Sequence, residues 1–267
     1  MAANRGNRWA GPVFLRSDQY RSEDNLRARQ SIYRFQYPRV DLPRVVLDLA
    51  APTPDDRVVD VGCGNGAYLS ELGRRDVCQS LTGVDLSEGM LRAAKQAMPR
   101  AATVLGDASA LPLRDGAATL VLAMHMLYHV PQPAVAVSEF RRVLMAEGRV
   151  VVVLNAEDHL GELRHAVDEA LREVGLPAEN FGERVRLGQG EELLAREFGS
   201  VTRNDFESEL VLSDLAPLET YIKSSINTAT VPEEGREDYV RRVLRHLSPG
   251  PRDVVRIKTH PGSLVCS

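Results

Sequence analysis

The chain has 267 residues, 43% of them hydrophobic, 26% charged and 5% aromatic, with a net charge of −4. That supplies apolar material for one large domain, or a core plus a lid, and excludes a disordered chain. The acidic total speaks against a nucleic-acid binder, and three cysteines (Cys63, Cys78, Cys266) without a CxxC pair indicate neither a disulfide framework nor a metal site.

Met1 to Gly6 lacks the apolar segment of a secretory signal, and no run of about 18 apolar residues occurs anywhere. A reduced, cytoplasmic setting and no membrane partner are therefore expected. Arg16, Arg21, Arg27, Arg29, Arg34 and Arg39 crowd the N-terminal region, with Asp18, Glu23 and Asp24 interleaved. The pattern reads as a solvated helix face. The spacing of Leu26, Tyr33 and Tyr37 predicts one helix over 22–37, and Pro43 opens a second after Asp41.

From residue 57 strand and helix signals alternate. Arg57 to Val61 reads as a strand, Ala67 to Arg74 as a helix, and Ser80 to Asp85 as a second strand. Ser87 caps a helix running through Met90, Leu91 and Ala94 towards Pro99. Ala102–Leu105 and Ala118–Met124 read as strands, Pro133–Val143 as a helix, and Arg149–Leu154 as a fifth strand opened by a turn at Gly148. Strands this apolar are covered on both faces, which predicts a doubly wound α/β fold with a parallel sheet.

Beyond it, Leu160, Leu163, Val167, Leu171 and Val174 mark an amphipathic helix, and Glu191–Phe198 another. Val201–Leu212 looks extended, Leu215–Ile226 and Glu237–Leu247 helical, and Val254–Thr259 and Ser263–Cys266 extended, parted by Pro261-Gly262. Residues 1–50 are expected to form an N-terminal helical lid on a domain of 51–267, with a substrate-lid insert at about 214–250. Phe181, Phe206, Tyr221 and Ile222 would suit an apolar acceptor and serve equally as core.

The chemistry gathers where the strands end. Gly62, Gly64 and Gly66 permit positive φ and close backbone approach at a strand-to-helix turn. Gly62-x-Gly64-x-x-Ala67 also satisfies a dinucleotide pattern, so the loop alone does not choose a cofactor. Asp85, closing the second strand, can accept both hydroxyls of a ribose. Asp60 would be repelled by a pyrophosphate and favoured beside a sulfonium or an ammonium. Asp107 could accept from an adenine amino group, and Ala108 could offer a backbone N–H to a ring nitrogen.

Val58 to Gly66, Gly83 to Met90, Gly106-Asp107-Ala108 and Met126-Leu127-Tyr128-His129-Val130 together resemble the class I S-adenosylmethionine-dependent methyltransferases, in their ubiquinone/menaquinone-biosynthesis-like, small-molecule branch. The resemblance implies a Rossmann-like seven-stranded sheet with the last strand antiparallel. It implies S-adenosyl-L-methionine as cofactor and S-adenosyl-L-homocysteine as product. Asp60 and the Gly62–Gly66 loop would hold the methionine end, Asp85 the ribose, Met90 would pack near the adenine, and Asp107 and Ala108 would read it. The backbone around His125 would pass the methionine portion, and N-terminal aromatics such as Tyr20 or Tyr33 would close over the cofactor.

Methyl transfer is an in-line displacement that needs alignment and exclusion of water. A phenol or alcohol acceptor would gain from a base, for which His125 and His129 are the candidates. Glu157, Asp158 and His159 form a further polar set. The leading expectation is methyl transfer to a small molecule through an O, N or C nucleophile. Three alternatives stay open: RNA as substrate on the N-terminal arginines, the same cofactor in non-methylating chemistry, and an NAD oxidoreductase. The acceptor and the oligomeric state are not readable from these residues.

Overall fold

A computed structural model describes residues 23–177, 185–247 and 254–267. Arg16, Asp18, Tyr20, Arg21 and Phe181 lie outside the described residues. In chain order the elements are α1 (Asp24–Ser31), a 3-10 turn (Ile32–Phe35), β1 (Gln36–Tyr37), α2 (Leu42–Ala50), β2 (Arg57–Val61), α3 (Ala67–Arg75), β3 (Ser80–Asp85) and α4 (Glu88–Ala97). They continue as β4 (Ala102–Leu105), β5 (Ala118–Met124), α5 (Pro133–Val143), β6 (Leu144–Asn155), α6 (Gly161–Glu173), α7 (Leu187–Leu194) and β7 (Val201–Asp205). The last are β8 (Ser208–Leu212), α8 (Ala216–Lys223), α9 (Ile226–Thr230), α10 (Arg236–Leu247), β9 (Val255–Thr259) and β10 (Pro261–Cys266).

Seven strands form one sheet in the order β4-β3-β2-β5-β6-β10-β7. β2 through β6 pair in parallel, and β10 runs antiparallel to both β6 and β7. Successive strand residues face opposite sides. Val58, Leu120, Leu122, Val151 and Val153 pack with α2 and α3, through Val46, Leu47, Leu69 and Leu72. Val59, Val121, Ala123, Val150 and Val152 pack on the other face with Val137 and Phe140 of α5 and Leu187 of α7. The sheet is covered on both sides, as its unbroken apolar runs require.

A second, three-stranded antiparallel sheet, β1-β8-β9, was not visible in the sequence. It shares a separate core with the 3-10 turn, α6, α8 and α10, built on Ile32, Val167, Leu210, Ile222, Tyr239 and Ile257. The chain crosses between the two sheets three times, from β1 to β2, from β7 to β8 and from β9 to β10.

Several expected boundaries move. Residues 22–37 are not one helix: α1 gives way to the 3-10 turn and then to β1. Pro38 disfavours helical backbone at Tyr37, and Gln36 and Tyr37 pair instead with Leu210 and Glu209, leaving Tyr37 74% exposed. Residues 201–212 are two strands in different sheets, because Phe206 N–H donates to Pro261 O at 2.9 Å and turns the chain. The late break falls at His260, with Pro261 and Gly262 inside β10. Gly148 lies within β6, where a Cβ would meet Leu144 Cδ2 at 2.8 Å. Nor are the arginines one solvated face: Arg29 donates to Ser224 O, and Arg29, Arg34 and Arg39 line a cavity. Among the described residues no helix is long and apolar enough to cross a membrane.

Candidate cofactor and acceptor site

The carboxyl ends of β2, β3 and β4 open into a cavity of about 870 Å³, roofed by α1, the 3-10 turn, α6 and α8. Ligands of open α/β sheets occupy this edge. The loop after β2 turns through three glycines with φ of 69°, 53° and 78° at Gly62, Gly64 and Gly66. At Gly62 a Cβ would sit 2.6 Å from Met126 Cβ, so the position excludes any side chain. Gly66 caps α3, whose first residues, Ala67 and Tyr68, line the cavity. Leu26 and Gln30 of α1 lie over the loop: Gln30 Oε1 accepts from Asn65 Nδ2 at 3.2 Å, and Leu26 Cδ2 would be 3.4 Å from a Cβ on Gly64.

Asp85 has both carboxylate oxygens on backbone amides. Oδ2 accepts from Gly64 N–H at 2.9 Å and Oδ1 from Ser87 N–H at 2.8 Å. Burial raises its pKa, and these bonds oppose the rise. Asp85 lines the cavity, and its carboxylate keeps lone pairs for further donors.

Asp60 differs. It is 1% exposed, and neither carboxylate oxygen has a hydrogen-bond partner. Burial, with the charge of Asp85 added, pushes its pKa up to about 8. A buried carboxyl without partners is costly in either protonation state. A cationic ligand group would satisfy it.

Met90 is buried on α4, below the same cavity, held by Ser87 Oγ accepting from Met90 N–H at 3.3 Å. Asp107 Oδ1 accepts from Ser109 N–H at 2.8 Å, which sets the turn after β4. Gly106, Asp107 and Ala108 line the cavity beside Met90. Asp60, Gly62, Gly64, Asp85, Met90, Asp107 and Ala108 thus share one wall, while Gly66 supports the loop from behind against Ala94.

His125 follows β5 at φ 54°, with its N–H donating to Val153 O at 3.0 Å. Burial drives its imidazole pKa down to about 4. His129, in a short turn with Leu127 and Tyr128, meets the Tyr128 ring edge-on at 4.6 Å between centroids. Both histidines line the cavity.

Beyond β6 lies a second polar group. His159 and Asn155 line the cavity, and Tyr33 Oη lies 3.4 Å from His159 Nε2. Asp158 instead turns away, to His260 Nδ1 at 2.7 Å and to Lys258. Glu157 contributes its carbonyl to Arg164. Sequence reasoning missed Asn155 and His260, and it could not pair Tyr33 with a residue 126 positions away.

Residues 59–152 match a family model described as a methyltransferase domain. An uncharacterized methyltransferase of Mycobacterium tuberculosis (strain ATCC 25618 / H37Rv) is 27% identical over 232 residues, covering 86% of this chain and 89% of that one. A demethylmenaquinone methyltransferase of Renibacterium salmoninarum is 33% identical over 135 residues, 51% of this chain and 56% of the relative. Some curated relatives are covered only over a third to a half of their length, from 32% to 56%. The solved structure of a candidate methyltransferase from Bacillus halodurans C-125 superposes with a TM-score of 0.58 at 15% identity, covering 85% of this chain and 98% of that one. At that identity the likeness is one of fold.

Proposed function

The chain belongs to the class I S-adenosylmethionine-dependent methyltransferases, and on that premise we propose that it methylates a small, largely apolar molecule held between its two sheets. The observation that carries this reading is the orphaned Asp60 carboxyl beside the glycine loop. A dinucleotide would bring a pyrophosphate there, whereas the methionine end of S-adenosylmethionine brings an ammonium and a sulfonium.

The residues fit that cofactor. Asp60 would take the ammonium, and the side-chain-free face at Gly62 and Gly64 would let the ligand lie against the backbone. Asp85, already fixed by two amides, would accept the ribose hydroxyls. Met90 would form an apolar floor for the adenine, with Asp107 and Ala108 at its polar edge. When bound, the cofactor supplies a methyl group activated by the adjacent positive sulfur.

The protein's own contribution is alignment and exclusion of water. The lid in this reading is the second core, with α1 over the glycine loop and α6 and α8 over the acceptor. His125, neutral at pH 7 with a pKa of about 4, is a weak base for a phenol or alcohol. Its role here is to shape the cavity floor through its backbone, with turnover driven by positioning. The setting in this reading is cytoplasmic, and likeness to the Renibacterium demethylmenaquinone methyltransferase makes quinone precursors the first acceptor class to test.

The test is a calorimetric titration with S-adenosylmethionine, S-adenosylhomocysteine and NAD, followed by labelled-methyl transfer to phenol, amine and enol acceptors. Micromolar binding of the first two, none of NAD, and label in an organic acceptor are expected. Binding of NAD alone, or label only in RNA, would overturn the reading.

A further inference from the structure

His159 is fixed by a contact that decides where its proton sits. The backbone N–H of His260 donates to His159 Nδ1 at 2.9 Å. A ring nitrogen that accepts cannot also carry hydrogen. His159 is 5% exposed, and burial holds its pKa well below the ordinary value, so the ring is neutral. Its one hydrogen is therefore on Nε2, which faces Tyr33 Oη at 3.4 Å. The Tyr33 oxygen accepts, and its own hydrogen must point away from His159. Burial also keeps Tyr33 a phenol. The hydroxyl is thus a donor of fixed sense on the cavity wall.

The location is distinct from the cofactor wall. Asp60, Asp85 and Asp107 stand at the ends of β2, β3 and β4, whereas His159 follows β6. Two strand spacings part β2 from β6, about 10 Å. Around Tyr33 the same cavity is lined by Leu163, Val167, Tyr221 and Ile222. Asn155, at the end of β6, also lines it, with a buried Oδ1 that no hydrogen bond satisfies.

We propose that Tyr33, oriented by His159, is the acceptor-recognition residue: its hydroxyl donates to a carbonyl, carboxylate or phenolate oxygen of an otherwise apolar substrate. The inference rests on the methyltransferase reading for what happens to that substrate, though not for the subsite's chemistry. A donor of fixed direction on a half-buried cavity wall, which a bound ligand covers from water, disfavours a ligand that presents carbon in place of oxygen, because the hydroxyl is then left unpaired. His159 is a positioning residue, since it acts through Tyr33.

The probes are 2-acetylnaphthalene, which offers a carbonyl oxygen, and 2-isopropenylnaphthalene, its carbon isostere. Their dissociation constants are measured by calorimetry on the free protein and on protein saturated with S-adenosylhomocysteine. Wild type is expected to favour the ketone at least tenfold, and Tyr33→Phe to reduce the preference below twofold. His159→Asn can still accept from the His260 amide but no longer reaches Tyr33. It should stay folded by circular dichroism and lose at least threefold of the preference. Equal binding of both probes to wild type, no ketone binding, or an undiminished preference in Tyr33→Phe or in folded His159→Asn would overturn the proposal. Failure of S-adenosylhomocysteine to bind would instead overturn the cofactor reading, and the free-protein selectivity would still decide this one.

Discussion

Asp60 stands beside Asp85 at the ends of two paired parallel strands, and the charge on Asp85 adds to burial in keeping Asp60 protonated near neutral pH. Asp85 has two backbone amides to steady its charge; Asp60 has nothing. In the proposed cofactor reading the pair would divide the labour of the site, Asp85 taking neutral hydroxyls and Asp60 a cation.

The first consequence is a proton released on binding. Asp60 has a pKa of about 8 in the free protein, so at pH 7 it is mostly neutral, and engaging an ammonium requires it to ionise. S-adenosylhomocysteine affinity should rise close to tenfold per pH unit between pH 6 and 7.5. Calorimetry in buffers of different ionisation enthalpy should report nearly one proton released at pH 7. Asp60→Asn should remove both effects and weaken binding by tenfold or more. A pH-independent affinity in wild type would show that Asp60 does not meet the cation.

The same carboxyl destabilises the free protein. Its folded pKa lies above its unfolded value of about 3.9, so the unfolded chain ionises first as pH rises. Stability is therefore untouched below about pH 4 and is lost progressively from there up to about pH 8. Asp60→Asn should stabilise the ligand-free protein by about 2–4 kcal/mol at pH 7 and by much less at pH 4. Urea melts at the two pH values would check this, and equal shifts at both would refute the linkage.

These relationships differ in how far the sequence reveals them. Asp60, Asp85 and Asp107 are legible because each lies at or just past the carboxyl end of a β-strand, and alternation with helices brings all such ends to one edge. The five parallel strands follow for the same reason, whereas the count of seven and the antiparallel β10 are implied only by the family resemblance. Val201 to Leu212 looks continuous because Asp205-Phe206-Glu207 carries neither glycine nor proline; the break is made by Pro261 and His260, more than fifty positions away. The three-stranded sheet is hidden likewise, since β8 pairs with β1 and with β9, both distant in sequence. The resemblance implies that Tyr33 closes over the cofactor; its contact with His159, which no local pattern reveals, is what the acceptor proposal rests on instead.

His125 and His129 separate positioning from base catalysis. With a pKa near 4, His125 is neutral throughout pH 5.5–8. His125→Asn keeps a residue tolerant of the left-handed backbone, and should change kcat less than tenfold with no change in the shape of the pH–rate profile over that range. His129→Ala should keep cofactor affinity and lower turnover by a similar modest factor. Loss of a limb of the profile in either variant, at unchanged cofactor affinity, would identify a base.

His260 holds the two sheets together at the point where the chain crosses between them. Its Nε2 meets Asp205 Oδ1, at the end of β7, and its Nδ1 meets Asp158 Oδ1, in the loop after β6, each at 2.7 Å. Its backbone accepts from Ala156 N–H and donates to His159. One residue therefore ties β6, β7, β9 and β10 and seats the ring that orients Tyr33. Hydrogen bonds from Arg203 and His260 hold the Asp205 carboxyl below the usual range, and those from Lys258 and His260 do the same for Asp158 against the opposing effect of burial. Because these folded pKa values are depressed, the stability they confer is present above about pH 4 and is lost as pH falls through the folded values. His260→Leu should cost about 2 kcal/mol at pH 7, less than a fully buried pair because both carboxylates are partly solvated, and the penalty should shrink below pH 4. It should also blunt acceptor discrimination while leaving S-adenosylhomocysteine affinity within twofold. A variant that lost cofactor affinity in step with acceptor discrimination would show that His260 supports the whole cavity rather than its acceptor end.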